Sequence, residues 1–163
     1  MLESPTQLSV VVPMLNEEAN VPRFLARLFP VLSQLHMPYE VICVDDGSQD
    51  RTAEFIRSAQ PQYPALVLVK LTRNFGQQAA VMAGFQQCRG DWVITLDADL
   101  QNPPEEIPRV LAELRNGHDV VGTVRQRRQD SRFRTWASKL TYWGVRQITH
   151  IPLTDLGCML RGY

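Results

Sequence analysis

A chain of 163 residues that is 44% hydrophobic and 21% charged is too apolar to remain disordered and has the size of one domain with its own core. Its formal net charge of zero conceals a division: residues 1–124 hold 9 Lys and Arg against 15 Asp and Glu, whereas residues 125–163 hold 8 against 2, so a basic stretch follows an acidic body. Three scattered cysteines (Cys43, Cys88, Cys158) and three scattered histidines exclude a disulfide framework and a Cys/His metal site, and no apolar run approaches the roughly 20 residues that cross a bilayer.

The first 7 residues are short of any signal peptide, so the chain reads as soluble or peripheral. Leu8–Pro13 is the first β-rich run. A helix is expected over Val21–Leu35, with Asn20 as its N-cap, Pro22 in its first turn and a kink or break at Pro30. A second strand over Tyr39–Asp45 leads to a helix over Thr52–Gln60 capped by Asp50, and a third over Ala65–Leu71 leads to a helix over Gln77–Gln87. The fourth strand is Trp92–Leu96. The helix after it opens at Pro103-Pro104, carries Glu105 and Glu106 in its first turn and ends before Gly117. A fifth strand over Asp119–Val124, a basic helix over Arg132–Thr149 and an apolar piece over Leu156–Leu160 complete the reading.

Strands alternating with helices predict an α/β fold: a mostly parallel, Rossmann-like sheet with helices on both faces. Such sheets bind ligands beyond the carboxyl ends of their strands. Those ends hold Asn16-Glu17-Glu18, Asp45-Asp46-Gly47-Ser48, Arg73-Asn74-Phe75-Gly76-Gln77, Asp97-Ala98-Asp99-Leu100-Gln101 and Arg125. Several carboxylates on one edge are costly unless cations or donors offset them. Asp97 and Asp99, two apart in an extended segment, point the same way and suit a hard cation such as Mg²⁺ or Mn²⁺, to which Gln101 adds an oxygen. Alone, the pair reads more readily as a helix cap than as a metal site; Glu17 and Asp46 on the same edge reverse that and favour the metal. Asp46 can accept from a base or ribose, Gly47-Ser48 suits a tight turn, and Arg73 and Arg125 suit a diphosphate.

Together, PMLNEE, VDDGSQD, RNFGQ, LDADLQNPPEEIP, VVGTVR and DLGCMLRGY resemble family 2 glycosyltransferases of the GT-A fold, and within them the polyprenyl-phosphate branch, over Leu8–Tyr163. The resemblance implies a metal-dependent, inverting transfer from a UDP-sugar to a polyprenyl phosphate such as undecaprenyl phosphate. It implies a part in cell-envelope lipid A modification, with 4-deoxy-4-formamido-L-arabinose, glucose or mannose as the sugar. It places Pro13, Leu15, Glu17, Val44 and Asp46 at uracil and ribose, Asp97, Ala98 and Arg125 at ribose and diphosphate, Asp99 and Gln101 on Mg²⁺ or Mn²⁺, and Asp155 as the catalytic carboxylate. Leu15 departs from the Tyr common at its position, which removes a ring able to stack on the base.

The same resemblance implies one catalytic domain over residues 1–163, truncated before acceptor-side elements and C-terminal transmembrane helices. The whole protein is expected at the cytoplasmic face of a bacterial inner membrane, with the basic, Trp- and Tyr-bearing stretch after Arg125 toward lipid and no nucleic-acid partner. A phosphoacceptor receiver domain is disfavoured because Arg73, not Asp, follows the third strand and Arg125, not Lys, the fifth. A dinucleotide-dependent oxidoreductase is disfavoured by the lack of G-x-G-x-x-G after the first strand. An inactive nucleotide-sugar-binding fragment remains an alternative.

Overall fold

The computed structural model describes residues 6–123 and 159–163. Four parallel strands, β1 (Leu8–Met14), β2 (Tyr39–Asp45), β3 (Leu66–Lys70) and β4 (Trp92–Thr95), are extended by two short ones, β5 (Val121–Gly122) and β6 (Arg161–Gly162), in the order β3-β2-β1-β4-β6-β5, with β6 antiparallel to both β4 and β5. The chain builds outward from β1 to β2 and β3, then returns to lay β4 on the other side of β1. That reversal opens a crevice at the carboxyl ends of β1 and β4, where doubly wound sheets take ligands.

The alternation of the strands sorts the core. Leu8, Val10, Val12 and Met14 of β1, with Val41 and Cys43 of β2, pack against α1 (Val21–Ser33), α2 (Thr52–Ala59) and α4 (Ile107–Arg115). Val11, Ile42 and Val44 face the other way, against Ala80 of α3 (Gln77–Phe85). All seven residues of β1 are buried, as expected of a central strand covered on both faces. Burial also pushes the Cys43 thiol up to about 12, so it is an inert core residue. Gly84 lets α3 lie close, since a Cβ there would run into Val11 and come within 3.2 Å of Val44 Cγ2.

At the opposite end of the sheet, paired residues Ser9 and Glu40 are both buried. Glu40 accepts from the Ser9 hydroxyl (2.7 Å) and from the Arg89 backbone N–H (2.7 Å), Nε (3.0 Å) and Nη2 (2.8 Å), which ties the α3–β4 turn to the sheet. Gly90 fits closely above, where a Cβ would meet Ser9 N at 2.7 Å.

Several expected boundaries shift. α1 runs through Pro30 to Ser33 without breaking, because Leu28, Phe29 and Leu32 around it are buried while Pro30 itself is exposed. Asn20 occupies the N-cap position of α1, as expected, but its side chain makes no capping bond; its Nδ2 donates to Glu17 Oε2 instead. A 3-10 turn at Pro104–Glu106 precedes α4, and Gly117 beyond it has φ +93. The fifth strand shrinks to two residues, since β6 offers it only two partners. The expected helix over 132–149 lies outside the described residues.

Candidate active site

Two loops brace each other at the crevice. Asn16, held at φ +55, donates its N–H to Ser48 Oγ (2.9 Å) and accepts the Gln49 N–H on Oδ1 (2.9 Å). Glu17 N–H donates to Thr52 Oγ1 (2.8 Å), Glu18 N–H to Asp50 Oδ2 (3.1 Å), and Arg51 N–H returns to Glu18 Oε2 (2.9 Å). Asp50, expected to cap α2, lies one residue before its N-cap Arg51 and accepts the N–H of Thr52, the first helical residue. Burial pushes the Asp50 carboxyl up, but bonds from the Thr52 hydroxyl and from the N–H groups of Thr52 and Glu18 outweigh it and hold the group below the usual carboxylate range. This lattice fixes the loops that carry Leu15, Glu17 and Asp46.

Above it lies an open cavity of about 350 Å³. From β1 and its loop come Pro13, Met14, Leu15 and Glu17; from the end of β2, Asp46; from the β3–α3 segment, Asn74, Gly76, Gln77 and Ala80; from the end of β4, Asp97, Ala98 and Asp99. Its four carboxylates each meet neutral donors. Asp46 accepts the N–H groups of Phe75 and Gly76, Asp97 accepts Gln77 Nε2, Asp99 accepts the Gln101 N–H, and Glu17 accepts Asn20 Nδ2. Among the described residues, no Lys or Arg lines the wall. A pocket acidic on this scale attracts a hard cation.

Asp97 and Asp99 are not in an extended segment: β4 ends at Thr95 and a turn follows, with Leu100 at φ +60. Both nevertheless line the cavity. Asp99 is exposed and supplies carboxylate oxygen, the donor type Mg²⁺ and Mn²⁺ prefer. No group of three or more His, Cys, Asp or Glu able to hold a metal occurs among the described residues. A cation held by Asp99 would have to complete its shell with water and substrate phosphate.

The cavity thus gathers Pro13, Leu15, Glu17, Asp46, Asp97, Ala98 and Asp99. It does not gather Val44, which is fully buried beneath α3, nor the exposed Gln101, which lies beyond the lining. Arg73 places its guanidinium over the exposed Phe75 ring, 4.1 Å from the centroid, and is not part of the lining. Arg125 and Asp155 lie outside the described residues. Gln77 was missed: a glutamine opening a helix carries no charge and looks like any surface residue, although the RNFGQ strand end contains it.

A match to the model of glycosyl transferase family 2 runs over residues 9–159. The chain belongs to glycosyl transferase family 2. It is 53% identical over 157 residues to the undecaprenyl-phosphate 4-deoxy-4-formamido-L-arabinose transferase of Pseudomonas fluorescens Pf-5, covering 96% of this chain and 46% of that one. The chain spans about half the length of such curated relatives. Among solved structures, it is similar to glucosyl-3-phosphoglycerate synthase from Mycobacterium tuberculosis in complex with UDP (TM-score 0.73, 22% identity, 96% of this chain and 56% of that one). It is also similar to the mannosyltransferase PcManGT from Pyrobaculum calidifontis in complex with GDP-Man and Mn²⁺ (TM-score 0.62, 24% identity, 76% and 38%). These likenesses establish the GT-A glycosyltransferase fold.

Proposed function

We propose that this chain is the nucleotide-sugar-binding half of an inverting glycosyltransferase that moves a sugar from a UDP-sugar to a polyprenyl phosphate, undecaprenyl phosphate in the first instance. The observation that carries the reading is the cavity with four carboxylates, and no basic residue among the described lining, at the switch point of the sheet. A diphosphate binds such a pocket more tightly when a cation offsets the carboxylates. The relative from Pseudomonas fluorescens is named for an undecaprenyl-phosphate acceptor and a 4-deoxy-4-formamido-L-arabinose group, which supports that acceptor and sugar ahead of glucose or mannose. Such an acceptor belongs to the cytoplasmic face of a bacterial inner membrane, and lipid A modification is the matching role.

Pro13, Leu15, Glu17 and Asp46 form the nucleoside side, while Asp97, Ala98 and Arg125 serve ribose and diphosphate. Asp99, with Gln101 next to it, is the candidate holder of Mg²⁺ or Mn²⁺. A bound cation supplies Lewis-acid stabilisation of charge on the departing diphosphate. The chain's own residues bind and orient: Glu17 and Asp46 accept from sugar and base, and the braced loops keep that geometry fixed before substrate arrives. The acceptor phosphate, with a second pKa near about 6, is already largely ionised at neutral pH. Asp155 therefore orients it and removes no proton. Asp155→Asn in the full-length protein should lower turnover with a pH profile like that of the parent; a loss recovered at high pH overturns the orienting role.

Calorimetry of UDP with this chain, with and without Mn²⁺, tests the site. The expected result is binding strengthened by Mn²⁺, and binding indifferent to Mn²⁺ contradicts the assignment. Transfer to undecaprenyl phosphate then separates an active enzyme from a fragment that binds without turnover.

A further inference from the structure

The β3–α3 segment forms one wall of the cavity, and two ties hold it. Asp46, just past β2, accepts the Phe75 N–H on one carboxylate oxygen (2.8 Å) and, on the other (2.9 Å), the Gly76 N–H, which it shares with Asn74 Oδ1 (2.9 Å). Gln77, the first residue of α3, donates from Nε2 to Asp97 Oδ1 just past β4 (2.9 Å). Because β2 and β4 flank β1 on either side, residues 75–77 cross above the carboxyl end of β1 from one neighbour to the other. Gly47 makes the approach possible. At φ +71 it lies so near the segment that a Cβ would run into the Arg73 carbonyl carbon and come within 2.6 Å of Asn74 N.

We propose that residues 75–77 form a strap over β1 that serves as the wall for the bound nucleoside diphosphate, with Asp46 and Gln77 as its positioning residues. The inference rests on the nucleotide reading above and extends it to residues that reading leaves unexplained. Asp46 does two jobs. A carboxylate has about four lone-pair sites, and the two strap amides occupy two, leaving others for base or ribose. Both amide bonds are charge-assisted, and the carboxylate stands at the N-terminus of α3, where the helix dipole favours it. Gln77 holds the orientation of Asp97 toward the cavity. Its side chain is exposed, so this bond, not packing, is its contribution.

Two measurements on this chain separate the strap from the nucleotide reading. The first is amide hydrogen exchange without ligand. Phe75 and Gly76 N–H should be protected in the parent, and Asp46→Asn should speed exchange of Phe75 N–H at least about tenfold, and of Gly76 N–H less because Asn74 Oδ1 still accepts it, while leaving the strands unchanged. Unprotected amides in the parent overturn the strap. The second is UDP affinity with Mn²⁺. Gln77→Met should leave the melting temperature unchanged and weaken UDP about 3- to 10-fold, the range of one net hydrogen bond. Combined with Asp97→Asn it should add less than that factor, because the two side chains act through one contact. Parent-like affinity in Gln77→Met, or losses that multiply, overturns the positioning role. Protected amides with no UDP uptake by the parent overturn the nucleotide reading and the strap's function with it, while its geometry stands.

Discussion

Glu40 shows how one residue holds the end of the sheet remote from the cavity. Burial pushes its carboxyl up, yet bonds from Ser9 and from the Arg89 side chain and backbone, with the Arg89 charge, outweigh burial and keep it below the usual glutamate value. A carboxyl depressed on folding stabilises the fold above its unfolded pKa, and that contribution disappears as pH falls through the folded value. Glu40→Gln should therefore cost about 1–3 kcal/mol at neutral pH, the size of a disturbed buried hydrogen-bond set. Urea denaturation should show that deficit narrowing below about pH 4.3, the ordinary glutamate value; a deficit constant with pH would falsify the charge-based account. This network was not legible in the sequence, because Ser9 and Glu40 lie 31 residues apart and meet only through strand register. Asp46, Asp97 and Asp99 were legible because carboxylates directly after apolar runs stand out. Val44 was placed with them by the family resemblance alone, whereas the alternation of β2 turns it beneath α3.

At the scale of elements, apolar periodicity located four strands and four helices, and the departures have local causes. Pro30 looked like a helix breaker, and its missing N–H does remove one bond from α1. Phe24, Leu25, Leu28, Phe29 and Leu32 are nevertheless buried on one face, and that burial carries the helix past the proline. The proline is exposed, so replacing it disturbs no packing. Pro30→Ala should restore the bond and stabilise the chain by about 1–3 kcal/mol, read as a higher urea midpoint with unchanged slope. A lower midpoint would show that Pro30 contributes something to α1 beyond its fixed φ. The fifth strand was overestimated for a different reason. Its length depends on β6, which arrives from 37 or more residues later in the chain, and no local pattern reports how far that pairing extends.

At the scale of the molecule, the cavity draws on the ends of β1, β2 and β4 and on the start of α3, so it exists only when the sheet is assembled. A ligand bound there stabilises the whole folded domain by mass action, by about 2.7 kcal/mol at a hundredfold excess over its dissociation constant. For a domain this size that is a rise of about 5–10 °C in melting temperature. UDP with Mn²⁺ should produce such a rise, and UDP alone a smaller one, because the cation then no longer offsets the carboxylates around the diphosphate. Asp99→Asn isolates the metal's part. Asp99 is exposed and its one backbone bond closes a local turn, so the unliganded variant should melt near the parent. The increment from Mn²⁺ should vanish while that from UDP alone persists. If Asp99→Asn keeps the full Mn²⁺ increment, the cation is held elsewhere, and Asp97 becomes the residue to substitute next. If it loses both increments, Asp99 binds the nucleotide directly and the division of labour between the two aspartates is reversed.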